Sequence, residues 1–574
     1  MNEALRLLDG SHAPPGAPLR PPETVMRLER LGAFHQTRLS FMRALLRRLK
    51  AEGWEFERPR WDISAEGVGV AVYRARGPER SYSLVAFAHD LDPALRSDRV
   101  IADAWDATFV LYDGAPNASE LVRLGANVPL QEAGRFRASD LILSRANRSV
   151  RLFEHVVAAL AAGRQPDAET LDAVGYLMRT TAVYGNGKFG LADRDRIADR
   201  PEFAGPFRAE MLTVWLIRAF TVDLAEHLAA ARAPATAAPL DRAIRRTLGV
   251  GNATGLGLGP FIANHPALFG RWIMAREAAL ARVRDLAEAS PETAAGFRVA
   301  LARARALAAA WRVDDERQSA RIAALEEDLA ALAAHTEGGA LDEPTPWEAL
   351  YAWSEAELSL EGQEMLVSLL IEPHGALVDE LAETMAIDEA PLFRIDATQG
   401  VAETIEAIAD RFDWALEIDF ASPEAQARFW YVSEEKLEPR LGERAREPGG
   451  DREQPLTMAR DVATLHAALG AFDPDATLAE FLLVHPEYRR AVRRVQIALR
   501  NPYAEIRGNL LAADMVPLDL LRCKLSFFGA TRFDPKSDRW LRITMYQHAP
   551  YPDELAEAEP DDWAYPPPPQ SEPA

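Results

Sequence analysis

The spacing of apolar positions changes along this chain, and the changes divide it. From Glu23 to Gly53 apolar residues recur at helical intervals and end in the basic cluster LLRRLK, which predicts an amphipathic helix. Gly67–Arg76 and Ser81–His89 read as strands joined through Arg76-Gly77-Pro78-Glu79, a hairpin signal. Ala107–Tyr112 (ATFVLY) reads as a third, buried strand. These elements predict an α/β unit over 23–135, preceded by a disordered lead-in over 1–22 that has no charged region followed by an apolar stretch and so is not a signal peptide.

Over 136–390 the pattern becomes helical. Ser144–Ala162, Ala168–Arg179 and Phe207–Ala231 carry apolar residues at helical spacing. Trp272–Glu288 and Glu292–Thr336 are rich in Ala, Leu and Arg and are separated by Ser290-Pro291, a helix-start signal. They predict an antiparallel Ala-rich pair over 272–336, closely packed, serving as scaffold or dimer interface.

The sheet signal returns over 391–551. Leu392–Ala397, Trp414–Phe420 and Arg428–Ser433 read as strands around a helix at Val401–Arg411. Helices follow from Leu456 to Leu499, and then strands at Lys524–Phe528 and Leu541–Tyr546. The segment 552–574 is acidic and then proline-rich, and is expected to be unstructured. The expected fold is α+β and predominantly α-helical, multidomain, with a central helical domain flanked by smaller α/β units.

Composition narrows the function. A chain of 574 residues exceeds a single core. Its formal charge of −22 equals the balance of the segment from Trp311 to Phe420 alone. An acidic face of that size repels nucleic acid and anionic membranes, so neither is expected as a partner. The single cysteine, Cys523, excludes an internal disulfide framework and fits a reducing, cytoplasmic setting. No apolar run reaches the length of a membrane span. The sequence has no HExxH or ExxH metal-ligand pair, no GxSxG nucleophile elbow and no GxxxxGK[ST] phosphate loop. No metal and no cofactor are therefore expected.

Lysine is rare in this Arg-rich chain, and one lysine lies in a distinctive setting, Tyr184-Gly185-Asn186-Gly187-Lys188-Phe189-Gly190. Glycines expose backbone N–H groups and leave room around a compact ammonium. Lys188 is the expected catalytic group there. Arg179, just before the loop, would clamp an anion bidentately, and Asn186 would orient it. A second glycine-rich stretch runs Gly249-Val250-Gly251-Asn252-Ala253-Thr254-Gly255-Leu256-Gly257-Leu258-Gly259-Pro260 and leads to His265. The helical pattern before it, LDRAIRRTL, argues against a dinucleotide fingerprint and for a ligand loop. Asn252 and Thr254 would bind substrate there, and His265 would shuttle a proton. Arg218 is the only charge in the apolar run MLTVWLIRAFTV, so it is expected to be buried with an anion, either a ligand or an internal carboxylate.

Weaker signals are the stripe Ser144, Arg148, Arg151, His155, the basic patch Arg489, Arg490, Arg493, Arg494, and the group Arg507, Asn509, Arg522, Lys524, which would close a site from the C-terminal unit. The function expected from these residues is acid–base chemistry of the lyase or isomerase type on a small carboxylate- or phosphate-bearing metabolite. The rival is a non-catalytic assembly protein using the acidic face and the Ala-rich helices, through which a homo-oligomer would form.

Overall fold

Alternating apolar residues do build strands in this chain, but they join one sheet rather than separate units. The computed structural model describes residues 17–95, 104–130, 136–182, 197, 200–205, 207–254, 266–311, 316–385, 393–422, 455–507, 521–530, 532–535, 541–559, 561 and 563–564. Its nine-stranded sheet has the order β1-β2-β3-β4-β5-β6-β7-β9-β8. The strands are β1 (Glu55–Ile63), β2 (Gly69–Arg76), β3 (Ser81–Ala88), β4 (Ala107–Asp113), β5 (Asp140–Arg148), β6 (Tyr176–Thr180), β7 (Gly249–Thr254), β8 (Arg532–Pro535) and β9 (Leu541–Met545). All described pairs are antiparallel except β6 with β7, which run parallel. The expected hairpin is present: Arg76 faces Ser81 and Gly77 N–H closes on Arg80 O. Edge strand β1 carries Pro59 where its register slips between Glu57 and Arg60, a position at which a missing N–H costs nothing.

Helices cover both faces of the sheet. The described helices are α1 (Phe41–Ala51), α2 (Ala118–Asn127), α3 (Phe153–Ala161), α4 (Ala168–Val174), α5 (Arg208–Arg232), α6 (Pro266–Arg284), α7 (Pro291–Ala310), α8 (Glu316–Glu337), α9 (Pro346–Glu357), α10 (Leu360–Ile371), α11 (Val401–Arg411), α12 (Pro455–Gly470), α13 (Leu478–Val484) and α14 (Arg489–Arg500), beside shorter turns. Leu124 of α2 joins Val72, Val85 and Val110 on one face of the sheet. On the other face lies α5, buried at every residue from Ala209 to Val222, as its unbroken apolar run requires.

Several expected helices are replaced by strands. Ser144–Ala162 is not one helix: β5 occupies its first part and α3 its second. The expected polar stripe therefore dissolves, with Ser144 and Arg148 on β5 and His155 on α3. Ala168–Arg179 likewise splits into α4 and β6, because Gly175 takes φ +77° and stops the helix. The helix expected over Glu23–Gly53 is present only as α1, after short turns at Pro22–Val25 and Leu28–Arg30. The stretch at Gly249 is strand β7 rather than a loop as far as Thr254. Trp414 lies in a short helix, Asp413–Leu416, and Lys524–Phe528 forms a π-helical turn, so neither segment is a strand. The strand expected at Arg428–Ser433 lies outside the described residues.

The Ala-rich hairpin is α7 against α8, one helix later than expected. The Ser290 side chain caps α7 by accepting from Thr293 N–H, as the Ser-Pro signal implied. Phe297, Leu301, Ala304, Ile322, Leu325 and Leu329 of this pair lie in the main core, which runs from Val25 to Ala564. That core crosses the boundaries expected at 135 and 390. It also takes in Leu555 and Trp563, from the tail expected to be unstructured. A second core, Val401 to Ala498, belongs to α11–α14 alone.

Buried arginines tie these layers together. Arg20 donates to Glu277 at 2.7 Å and to Glu364 at 2.8 Å, and Arg276 donates to Glu364 at 2.6 Å, all within the core. The arginines hold the Glu364 carboxyl well below the usual carboxylate range, although burial alone would raise it. Arg38, Arg43 and Arg47 surround Asp561 and hold its carboxyl down, at about 2.

Arg218 is fully buried, but its partner is not the anion expected. Its Nε donates to Leu248 O at 2.7 Å, Nη1 to Ala549 O at 2.7 Å and Nη2 to Arg246 O at 3.2 Å. Its guanidinium also stacks 3.8 Å from the Tyr551 ring. Neutral carbonyl dipoles and an aromatic face thus stand in for a carboxylate. Burial without a carboxylate in contact pushes its pKa down to about 10.

Two outcomes are expected. Arg218→Met removes the donors to Leu248 O, Ala549 O and Arg246 O, of which Leu248 O keeps the Tyr551 hydroxyl and Arg246 O keeps His548 N–H, and should lower unfolding stability by about 1–3 kcal/mol in urea titration, with no dependence on added anions. Glu364→Gln removes the carboxylate that Arg276 and Arg20 share, leaving Arg276 without its closest anion while Arg20 keeps Glu277, and should cost about 3–5 kcal/mol. The Glu364 and Asp561 carboxyls are depressed in the folded state. Their contribution is therefore complete above roughly pH 4.5 and is lost as pH falls toward 2. Acid titration of Glu364→Gln should show a shallower loss than wild type.

Candidate functional site

β6 and β7 are the parallel pair because α5 carries the chain across between them. A parallel neighbour needs such a crossover, whereas a tight turn yields an antiparallel one. In sheets with parallel strands, ligands collect beyond the strands' carboxyl ends. Both glycine-rich segments begin at that edge: the chain leaves β6 toward Lys188 and β7 toward His265.

The two exits are held together by a row of buried polar groups. Asn252 Nδ2 donates to Thr180 O at 2.9 Å, joining the ends of β6 and β7. Ser144 Oγ and Thr180 Oγ1 share a hydrogen bond at 2.7 Å, joining β5 to β6. Ala182 N–H donates to Thr180 Oγ1 at 3.2 Å and Thr181 N–H to Arg145 O at 3.1 Å, which fixes the direction in which the chain leaves β6. Asn252 is 1% exposed, and its Oδ1 has no hydrogen-bond partner among the described residues. A buried amide oxygen left unpaired is costly, so it marks a place where a donor belongs.

The opposite face of the strands carries Arg179. The register slips between Tyr176 and Arg179 against β7, and both side chains lie over Gly251. A β-carbon at Gly251 would come within 2.7 Å of the Tyr176 ring and 2.8 Å of the Arg179 stem. Glycine here serves close packing rather than loop freedom. The Tyr176 hydroxyl is buried without a hydrogen-bond partner among the described residues. Arg145, which side-chain alternation puts on the same face, stacks 3.9 Å from the Trp105 ring. One face of this end of the sheet thus carries two guanidinium groups and an orphan hydroxyl, groups suited to orienting a small polar anion, and the other face carries the Asn252 amide oxygen, which takes a donor.

Of the expected site residues, Arg179 and Asn252 come to this edge, on opposite faces of adjacent strands. Thr254 ends β7 there, and its side chain lies outside the description. Lys188, Asn186 and His265 lie outside the described residues. Arg218 does not join them. It binds Leu248 O, before the start of β7, so roughly 13 Å of strand separates it from the level of Asn252. Tyr176 and Thr180 were missed as site residues, and Ser144 was noted only as part of a helical stripe. The signal that could have found β6 is the run YLMRTT immediately after Gly175.

Among the described residues no group of three or more His, Cys, Asp or Glu side chains is placed to hold a metal ion. Among the same residues no helix is long and apolar enough to cross a membrane. Comparison with protein-family models, curated proteins and solved structures finds no match for this chain.

Proposed function

We propose that the chain is a cytoplasmic enzyme that binds a small carboxylate- or phosphate-bearing metabolite at the carboxyl edge of β6 and β7 and performs acid–base chemistry on it, of the lyase or isomerase type. The observation that supports this reading is the Asn252–Thr180 hydrogen bond, which joins the ends of the two strands that precede the glycine-rich segments in sequence. Arg179 supplies the anion clamp, and Asn252 and Thr254 orient the substrate. Lys188 and His265, one from each segment, polarise the anion and move the proton, and Asn186 positions the substrate beside Lys188. Arg218 belongs to the scaffold in this scheme. Neither metal nor organic cofactor takes part.

The rival assembly reading loses weight because the Ala-rich pair spends Phe297, Leu301, Ile322 and Leu325 inside its own core.

Thermal unfolding with added malate or inorganic phosphate tests the site. Wild type should be stabilised by one of these ions. Lys188→Ala and Arg179→Lys should each weaken that binding at least about tenfold, because point charge and bidentate fork are not interchangeable. His265→Ala should retain binding but lose solvent-deuterium exchange into the bound acid. Stabilisation left unchanged in both Lys188→Ala and Arg179→Lys would sink the joint site.

A further inference from the structure

The π-helical turn Lys524–Phe528 is buried at every position, and it begins with one of the chain's rare lysines. Lys524 is 1% exposed, and its Nζ has no hydrogen-bond partner among the described residues. The ammonium sits over the Phe528 ring, with Nζ 4.2 Å from the ring centre. π-turns break the ordinary helical ladder and recur at functional sites. This one ends at Gly529, φ +92°, where a β-carbon would come within 2.9 Å of Ser40 Oγ and 3.2 Å of Gln36 Oε1. Thr37 ties the same segment to the turn by donating from N to Ser526 O at 3.0 Å.

The polar atoms around this turn are left unpaired to an unusual degree. Lys524 Nζ, Ser526 Oγ, Ser40 Oγ, Gln36 Oε1, Trp272 Nε1 and Trp563 Nε1 are all buried and have no hydrogen-bond partner among the described residues. They belong to directly connected neighbours. Trp272 lies 5.7 Å from Phe528 and 6.1 Å from Phe527, and Gln36 Nε2 donates to the carbonyl of Ala564, next to Trp563. One orphan could be a local accident. Six around one turn give a ligand several groups to meet. The set is dominated by donors: an ammonium, two indole N–H groups and two hydroxyls, against one amide oxygen. The walls are aromatic, with Phe41 and Phe207 packed 5.2 and 4.8 Å from Phe528.

We propose that this turn is a second ligand site, distinct from the β6–β7 edge, which takes a small monocarboxylate with an aromatic or apolar body. The carboxylate oxygens would accept from Lys524, the indoles and the hydroxyls, and the body would lie against the phenylalanines. A buried ammonium without a carboxylate is unfavourable, and the ligand supplies the missing charge. Burial holds the Lys524 amine down at about 7 in the unliganded chain, with only Cys523 acting the other way. A bound carboxylate must raise it.

The experiment uses the full chain with isotope-labelled lysine, its signals assigned through Lys524→Met. Benzoate and 3-phenylpropionate are the ligands, and benzyl alcohol is the neutral control. Benzoate should raise the melting temperature of wild type, and benzyl alcohol should not. The Lys524 ε-methylene signal should titrate near neutral pH without ligand and move up by roughly 2 pH units or more with benzoate. Lys524→Met should lose the benzoate effect while its ligand-free melting temperature holds or rises. Should that variant not fold, Trp563→Phe removes one donor and should weaken benzoate binding severalfold. Lys188→Ala should keep every benzoate response, which separates this site from the β6–β7 edge. Equal stabilisation of wild type and Lys524→Met, equal stabilisation by benzyl alcohol, or a Lys524 titration that benzoate does not move would each overturn the proposal.

Discussion

Much of the architecture depends on one guanidinium. Arg218 reaches Leu248, 30 residues on, and Ala549, 331 residues on. Leu248 precedes β7, and Ala549 follows β9, its neighbour in the sheet. The same side chain therefore sets the height of both strands beneath α5. Arginine suits this role because its charge persists in the core and its planar fork can serve several carbonyls at once. A lysine could not span them. Everything at the far end of β7, including the Asn252–Thr180 bond, takes its position from that anchor.

Other buried arginines extend the principle. The cluster of Arg20, Arg276, Glu277 and Glu364 ties the segment before α1 to α6 and α10. The cluster of Arg38, Arg43 and Arg47 ties α1 and its approach to Asp379 and Asp561, which lie far apart in sequence. Such clusters are poor sources of net stability, because desolvation offsets most of their attraction. They do penalise every arrangement that leaves a guanidinium unpaired. In a chain whose apolar surface is largely alanine and leucine, that penalty helps to select one packing among many similar ones.

The sequence was most informative where a pattern had one reading. The β2–β3 hairpin, strand β4, the buried helix α5 and the Ser290 cap all follow from local spacing. Ambiguity began with short apolar runs. Leu141–Leu143 fits a helix and a strand equally well, and only the neighbours β4 and β6 decide for a strand. β7 was harder, because glycines are disfavoured in strands. Gly251 is there to admit Tyr176 and Arg179 from the next strand, a tertiary demand that no local pattern displays. The candidate site was therefore legible in its parts. Arg179 and Asn252 were identified, but their adjacency depends on the parallel pairing of β6 and β7. Arg218 was rightly expected to be buried and wrongly given an anion, because backbone carbonyls have no signature in a side-chain sequence.

The position of β9 has a consequence for how the chain is made. On one side β7 pairs with β6, which precedes it. On the other side its partner begins at Leu541, nearly 290 residues after Thr254. A ribosome delivers the second core, Val401 to Ala498, long before that partner exists. During that interval β7 presents an open row of N–H and C=O groups, and Arg218 lacks the Ala549 carbonyl. An open edge of this kind is a template for pairing with another nascent chain. The last strand turns β7 from an edge into an interior strand, so a chain cut short before Leu541 would keep that edge open.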